Sequence, residues 1–467
     1  METNNKERIT GKIFLKGKVQ CLSPLHIGCG SGEHSDMDVL VDDNGYAFIP
    51  ATSFGGVLRH SIDLERHPDI NDNFVKNFWG FSKKKTGHQC SFHCSDLYSD
   101  KKPDIVIRDG IRIDNRTGLV EHNGKYDYEI VEPGSPFNLN MEFEYTNENK
   151  KFIKRMVRTI YQVLSESQII LGGKTNNGLG IVKLNDEDSK LYEFDFKDDA
   201  NKKRNVFNYL TKKFDAVNII KITDLGDPFP FKRKDVFSIE AVLKLQNSII
   251  IRSYSSNPKE PDSVHIKSKG KYIIPGSSLK GAIRGRAERI LNTLGKPEII
   301  AKELFGFIPE EKKSDTIRTE KKIERAIKSK LLINEVELPE FVAEIQTRIK
   351  IDRFTGGTIE SALFESMPLF IDFTEKVLKL EMTIQDYKDY EAGLLLLVLK
   401  DLWSGDLAVG GEKNVGRGVF NGKSAIIKIN DDPVIENTDL NNLTKAEQDI
   451  LQKYVTSLVK KEVGNES

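Results

Sequence analysis

Apolar and polar residues alternate with period two along GKIFLKGKVQCLSPLHIG from Gly11, which predicts a half-buried strand. The loop GCGSGEHSDMD follows, then a short strand, VLVDD, and the hairpin signal Asn44-Gly45 before YAFIP. The pattern then changes: Pro50 with Thr52 or Ser53 predicts a helix start for FGGVLRHSIDLE. Residues 72–104 follow no period and read as an irregular insert. Beyond them IVIRDGIRID, a turn at Asn115–Gly118, KYDYEIV and PFNLNMEFEY predict strands, and NKKFIKRMVRTIYQVLSES has apolar positions at helical spacing. A glycine loop and the strand GIVKL close the series. Such an order predicts an α+β domain with a ferredoxin-like βαββαβ core.

The series then occurs again. IPATSFGGVLR (49–59) returns as IPGSSLKGAIR (274–284), IRIDNRTGLVE as IKIDRFTGGTI, and LGGKTNNGLGIV as VGGEKNVGRGVF. The second and third motifs are each displaced by 238 residues and the first by 225, so the second copy carries about thirteen extra residues between motifs one and two. The period is too long for a solenoid and marks a tandem duplication of one domain. We expect a first repeat over 1–226, including a charged linker at 185–226, and a second over 227–467 with a charged insert at 309–330.

Composition narrows the chemistry. With 70 Lys+Arg against 70 Asp+Glu, the chain is no bulk polycation, so any nucleic-acid surface must be local. No run approaches the length of a membrane helix, the N-terminus lacks the apolar core of a signal peptide, and four cysteines in 467 residues make no disulfide framework. The expectation is a soluble, cytoplasmic protein without a membrane partner.

Three features carry candidate chemistry. The glycine loops let backbone N–H groups approach an anionic backbone, although they also suit a tight turn before a strand. GGKT at 172–175 imitates a P-loop, but Gln168 stands where that pattern needs glycine. Gly172, Gly173, Lys174 and Asn177, with Gly410, Gly411, Lys413 and Arg417, are therefore RNA-contact candidates. The IPG helix has Ser278 near its start, then Lys280, Arg284, Arg286 and Arg289, a face suited to phosphates; Arg289 reads as solvated. The first copy keeps Ser53 and Arg59 but has Gly55 in place of Lys280. Finally, HQCSFHC places His88, Cys90, His93 and Cys94 together in the first copy only, which suits structural zinc, with His93 or His67 as the fourth ligand.

The order LSPLHIGCG, IPATSFGGVLRH, RDGIRIDNRTGLVEHNGKYDYEIVEPGSPF, LGGKTNNGLGIVKL resembles the RAMP superfamily, and within it the backbone subunits of type III CRISPR effector complexes. Two copies in one chain resemble the fused subunits of type III-D systems. The resemblance implies a modified RNA-recognition fold in each repeat, holding guide RNA, with thumb hairpins at Thr117–Glu129 and Thr355–Ser366 that flip out a target nucleotide. Tyr126 and Tyr128 would be its stacking residues, unless buried as strand aromatics. It also implies an aspartate in the loop after the first strand that cuts target RNA with a divalent metal such as Mg2+. Counting back from Pro50 gives Asp36, with Asp38 as rival; the same count from Pro275 gives Pro261, so Asp262 would have to serve. His26 would orient the loop. Partners would be guide RNA, target RNA, further backbone subunits and a polymerase-like large subunit. The rivals are a non-catalytic guide-binding subunit and a stand-alone ribonuclease processing guide precursor.

Overall fold

The structure is a computed structural model and describes residues 8–30, 32, 34–64, 72–83, 86–167, 169–197, 201–217, 219–231, 235–254, 260–309, 325–372 and 375–461. The chain forms two compact units. The first holds residues 1–107, 127–175 and 179–233; the second holds 108–126, 176–178 and 234–467. Two short pieces of the first sequence copy thus belong to the second unit.

In the first unit, the alternating run becomes β1 (Gly11–Cys21) and the IPA segment becomes α1 (Ala51–Ser61). The hairpin strands are β2 (Ile105–Ile113) and β3 (Val120–Val131). Then come β4 (Pro136–Tyr145), α2 (Lys150–Ser165) and β5 (Ile181–Asp195). β1 lies between β4 and β5, antiparallel to both, and Phe92–Cys94 extends the sheet beyond β4. Ile13, Leu15, Val19 and Cys21 point from β1 into the core, where α2 contributes Ile153, Met156, Val157 and Ile160 at helical spacing.

The second unit repeats this plan. β6 (Val236–Leu245) is central, followed by α3 (Gly276–Thr293), the hairpin β7 (Gln346–Ile351) and β8 (Thr358–Met367), β9 (Leu378–Gln385), α4 (Asp389–Trp403) and β10 (Phe420–Ile429). Its sheet runs Leu331–Ile333, β9, β6, β10, Asp432–Thr438. An added helix, α5 (Lys445–Lys460), packs closely on α4 because Gly393 has no Cβ to meet the carbonyl of Tyr454.

Two sequence expectations change. Residues 185–226 are not a loop-like linker: β5 runs unbroken to Asp195, paired with β1 throughout, and a helix spans Lys202–Leu210. Phe14, Tyr192 and Phe194 form a second small core there with Tyr209 and Phe214, so the charged residues decorate an amphipathic layer. The insert at 72–104 is also more regular than its pattern implied, with a helix at Asp72–Trp79 whose Phe78 stacks near Phe92 and Phe143. Aromatic packing over a sheet edge supplies what periodicity does not show. No helix among the described residues is long and apolar enough to cross a membrane.

His265 shows how tightly the second core is built. Its Nδ1 accepts from Ile251 N at 3.2 Å, so Nε2–H donates to Ile273 O at 2.8 Å and the neutral tautomer is fixed. Burial pushes its pKa down to about 4. The unfolded chain then binds a proton that the folded unit refuses. Stability from this group is present in full above its ordinary pKa of 6.5 and lost as pH falls toward 4. We expect the second unit to lose about 3 kcal/mol across that window, and His265→Gln to flatten this part of the profile in urea titrations.

Candidate nucleic-acid interface

The loop after β1 is ordered by its own carboxylate. Asp38 is buried and accepts from Ser35 N at 2.8 Å, Ser35 Oγ at 2.7 Å and His34 N at 3.2 Å. Gly32 leaves the space that this carboxylate fills. Asp38 therefore sits as a turn cap, turned inward. Asp36 is exposed, and it clasps the thumb strand: its N–H donates to Asp127 Oδ1 at 2.7 Å and its Oδ2 accepts from Asp127 N at 3.1 Å.

The second unit repeats half of that clasp. Asp262 is exposed, and its Oδ2 accepts from Glu365 N at 3.0 Å, while Pro261 is buried. Glu365 lies 238 residues after Asp127, the offset that relates the hairpins. Asp262, not Pro261, therefore takes the place of Asp36, because the second loop is one residue longer. Each exposed aspartate also has a second acid beside it, Asp127 or Glu365. Magnesium takes one or two carboxylates and completes its shell with water and phosphate oxygens, so both pairs suit it.

The hairpins themselves match. Gly118 N donates to Asp114 O at 2.7 Å, as Gly356 N does to Asp352 O at 3.0 Å. The Asp114 carboxylate accepts from Arg116 N, and that of Asp352 from Thr355 N and Phe354 N, which holds both below the usual carboxylate range. Tyr128 is buried and meets the His26 ring edge-on; Tyr126 covers Gly110 on the facing strand. Phe354, at the tip of the second hairpin, is fully exposed, and sequence reading did not single it out.

Each glycine loop rests on the chain just after its central strand. Gly173 N donates to His26 O and Gly411 N to Ile250 O, both at 2.8 Å. Gly180 N donates to Pro24 O at 2.8 Å and Gly418 N to Ser248 O at 2.7 Å. A Cβ on Gly172 or Gly410 would lie inside 3.0 Å of those same carbonyls, and both residues have positive φ. The next residue is left-handed in both copies, with φ 54° at Lys174 and 57° at Glu412. There the copies diverge. The Lys174 ammonium lies 4.4 Å over the Tyr128 ring, near His26, whose pKa is lowered by burial with Lys174 adding to the effect. Glu412 is held by Arg252 at 2.9 Å and by Arg348 and Arg417 at 2.8 Å each. Burial alone would raise its pKa, but hydrogen bonds from Arg252 and Arg417 and the charge of Arg348 outweigh it and hold the carboxyl low. Three guanidinium groups around one carboxylate leave this loop locally cationic. Sequence reading missed Arg252, Arg348 and Glu412, because only the fold brings them together.

The IPG helix is less free than its sequence implies. Lys280 is buried, and its ammonium donates to Ser329 Oγ at 2.8 Å, Leu331 O at 3.1 Å and Asn176 O at 3.4 Å. Burial, with Arg284 nearby, pushes its pKa down to about 7. Arg284 donates to Glu288 at 2.8 Å and Arg286 to Asp401 at 2.6 Å. Arg417 is buried as well, also donating to Ser248 Oγ at 2.8 Å. Asn177 lies with Asn176 and Gly178 inside the second unit. Ser53, Arg59, Gly172 and Lys413 are exposed; Ser278, Gly173, Gly410 and Gly411 are half-buried.

The His/Cys cluster does not converge. Cys90 Sγ donates to Phe92 O at 3.1 Å, and Cys94 Sγ to Ser95 O at 3.3 Å, with burial and Asp96 pushing the Cys94 thiol up to about 12. His88 Nδ1 lies 2.6 Å from its neighbour's carbonyl, Gln89 O, and His93 lies 3.8 Å from Glu144. Among the described residues no three His, Cys, Asp or Glu side chains come together as a metal site, so the thiols as placed do not fit the zinc reading. His67 lies outside the described residues.

Two α+β units, each with an acid loop clasped to a β-hairpin and a glycine loop set against its central strand, define a tandem repeat protein. A family model for the RAMP superfamily matches residues 18–183 and 242–421, well over half of the chain, and the chain belongs to that superfamily. In general terms this makes it a CRISPR-associated RNA-binding protein. No curated protein shows significant similarity to it.

The second unit also contains the thumb segment 108–126, anchored by Arg108 on Glu335, by Asn115 on Glu288 at 2.8 Å and by Ser253 Oγ on Asp109 at 3.3 Å. Arg108 is 2 % exposed. Removing one partner of a buried pair leaves the other charge uncompensated, so Arg108→Ala should cost the second unit about 3 kcal/mol in chemical denaturation.

Proposed function

We propose that this chain is a guide-RNA-binding backbone subunit of a type III CRISPR ribonucleoprotein, in the fused two-repeat arrangement of type III-D, and that it cleaves complementary target RNA in both repeats. The observation that carries the reading is the matched pair Asp36 and Asp262, each exposed and each anchored to the same backbone position of its hairpin.

Cleavage needs a ribose 2′-OH in line with the adjacent phosphorus. A hairpin that displaces one target nucleotide supplies that alignment. Asp36 or Asp262 takes the 2′-OH proton as general base; the 2′-oxygen attacks phosphorus, and the bond to the 5′-oxygen breaks. The products are a 2′,3′-cyclic phosphate and a 5′-hydroxyl whose proton comes from solvent. Bound beside Asp36 and Asp127, or Asp262 and Glu365, a divalent cation such as Mg2+ supplies charge stabilisation at the phosphate. The amide clasp fixes the carboxylate's position and still leaves lone pairs for this work. Lys413, Arg59 and the cationic glycine loop of the second unit favour the RNA backbone by charge. Neighbouring type III subunits and the polymerase-like large subunit complete the proposed assembly.

The same clasps support a second reading, in which both aspartates only cap their loops and neighbouring subunits cut. The test uses the guide-loaded complex with labelled target. Asp36→Asn and Asp262→Asn should each remove one product, slowing that cut by at least ~100-fold while target binding is retained. An unchanged product ladder in the double variant establishes the capping role instead.

A further inference from the structure

Within the second unit, the loop tip Asn176–Gly178 is seated in a receptor. Gly276, the first residue of α3, has no Cβ; one placed there would lie inside 3.0 Å of Asn177 O and Ile333 O. Gly178 sits equally close to Ile333 O and Asn334 Cα. Lys280, the fifth residue of the helix, reaches Asn176 O, and Glu335 turns to Arg108 at the base of the thumb. The receptor is thus a helix that begins with glycine and carries lysine one turn on, beside an acid left for the incoming thumb.

The same tip occurs once more, at Asn414–Gly416, 238 residues on. There it is bare: Val415 is 56 % exposed and no described atom lies within 4 Å of a Cβ on Gly416. The first unit cannot receive it. Ala51 stands where Gly276 does and Gly55 where Lys280 does. Strand pairing places Asp96 at the position of Glu335, since Ile49 pairs with Leu97 as Ile274 pairs with Val336. That acid is already engaged, accepting from Ala51 N at 2.7 Å. The alanine methyl, the missing ammonium and the occupied acid each close the receptor.

We propose that the tip Asn414–Gly416, with its hairpin, docks a module of a different chain whose first helix opens with glycine and carries lysine at its fifth position, and that this protein does not join to its own copies. The inference concerns protein contacts alone and stands apart from the cleavage reading. The test is sedimentation velocity on the RNA-free full chain. The wild type should sediment as a 52.9 kDa monomer over a wide concentration range. Ala51→Gly with Gly55→Lys opens a receptor in the first unit and should produce concentration-dependent head-to-tail oligomers, which Val415→Trp should abolish. Self-association of the wild type overturns the proposal. So does a double variant that keeps the wild-type circular dichroism spectrum and remains monomeric.

Discussion

The constraint on which each unit depends is a backbone-on-backbone contact: a glycine loop laid against the carbonyls that follow the central strand. Gly173 and Gly180 donate to His26 and Pro24, and Gly411 and Gly418 donate to Ile250 and Ser248. Close approach of this kind admits no Cβ at Gly172 or Gly410. It fixes the start of the acid loop, and the hairpin clasp fixes its end. Between those two anchors the exposed aspartate has few places to go.

On this shared frame the units diverge by charge. The left-handed residue after the glycine pair is a lysine over Tyr128 in one unit and a glutamate gripped by three arginines in the other. The first arrangement offers one cation near a neutral His26. The second binds a carboxylate between guanidinium groups that outnumber it. The duplication has kept the geometry of the acid loop and let the electrostatics around it drift, which is what two sites meeting different stretches of one RNA strand would tolerate.

Much of this was legible in the sequence because repeats and period-two strands are local signals. The central strands, both main helices of each unit, the hairpins and the glycine loops all fall where alternation, helical spacing and turn residues placed them. The order of the core strands follows from the repeat once the hairpins are found. Three things were not legible. Counting from Pro275 landed on Pro261, because a single extra loop residue shifts the count while the clasp on Glu365 preserves the position. Lys280 looked like a phosphate ligand, yet its ammonium is enclosed by Ser329, Leu331 and Asn176, partners that only the tertiary fold supplies. The His/Cys run has ligand spacing, but its thiols turn to backbone carbonyls, because the strand Phe92–Cys94 takes its direction from sheet pairing.

The central claim is that the two aspartates are equivalent working groups held in register by equivalent hairpins. Mapping product ends at single-nucleotide resolution, with the wild-type guide-loaded assembly and a target labelled at each end in turn, tests it most directly. The account predicts two cuts assignable to this chain, each leaving a 2′,3′-cyclic phosphate and a 5′-hydroxyl. Product ends carrying a 5′-phosphate, or no cut at either position, would contradict it.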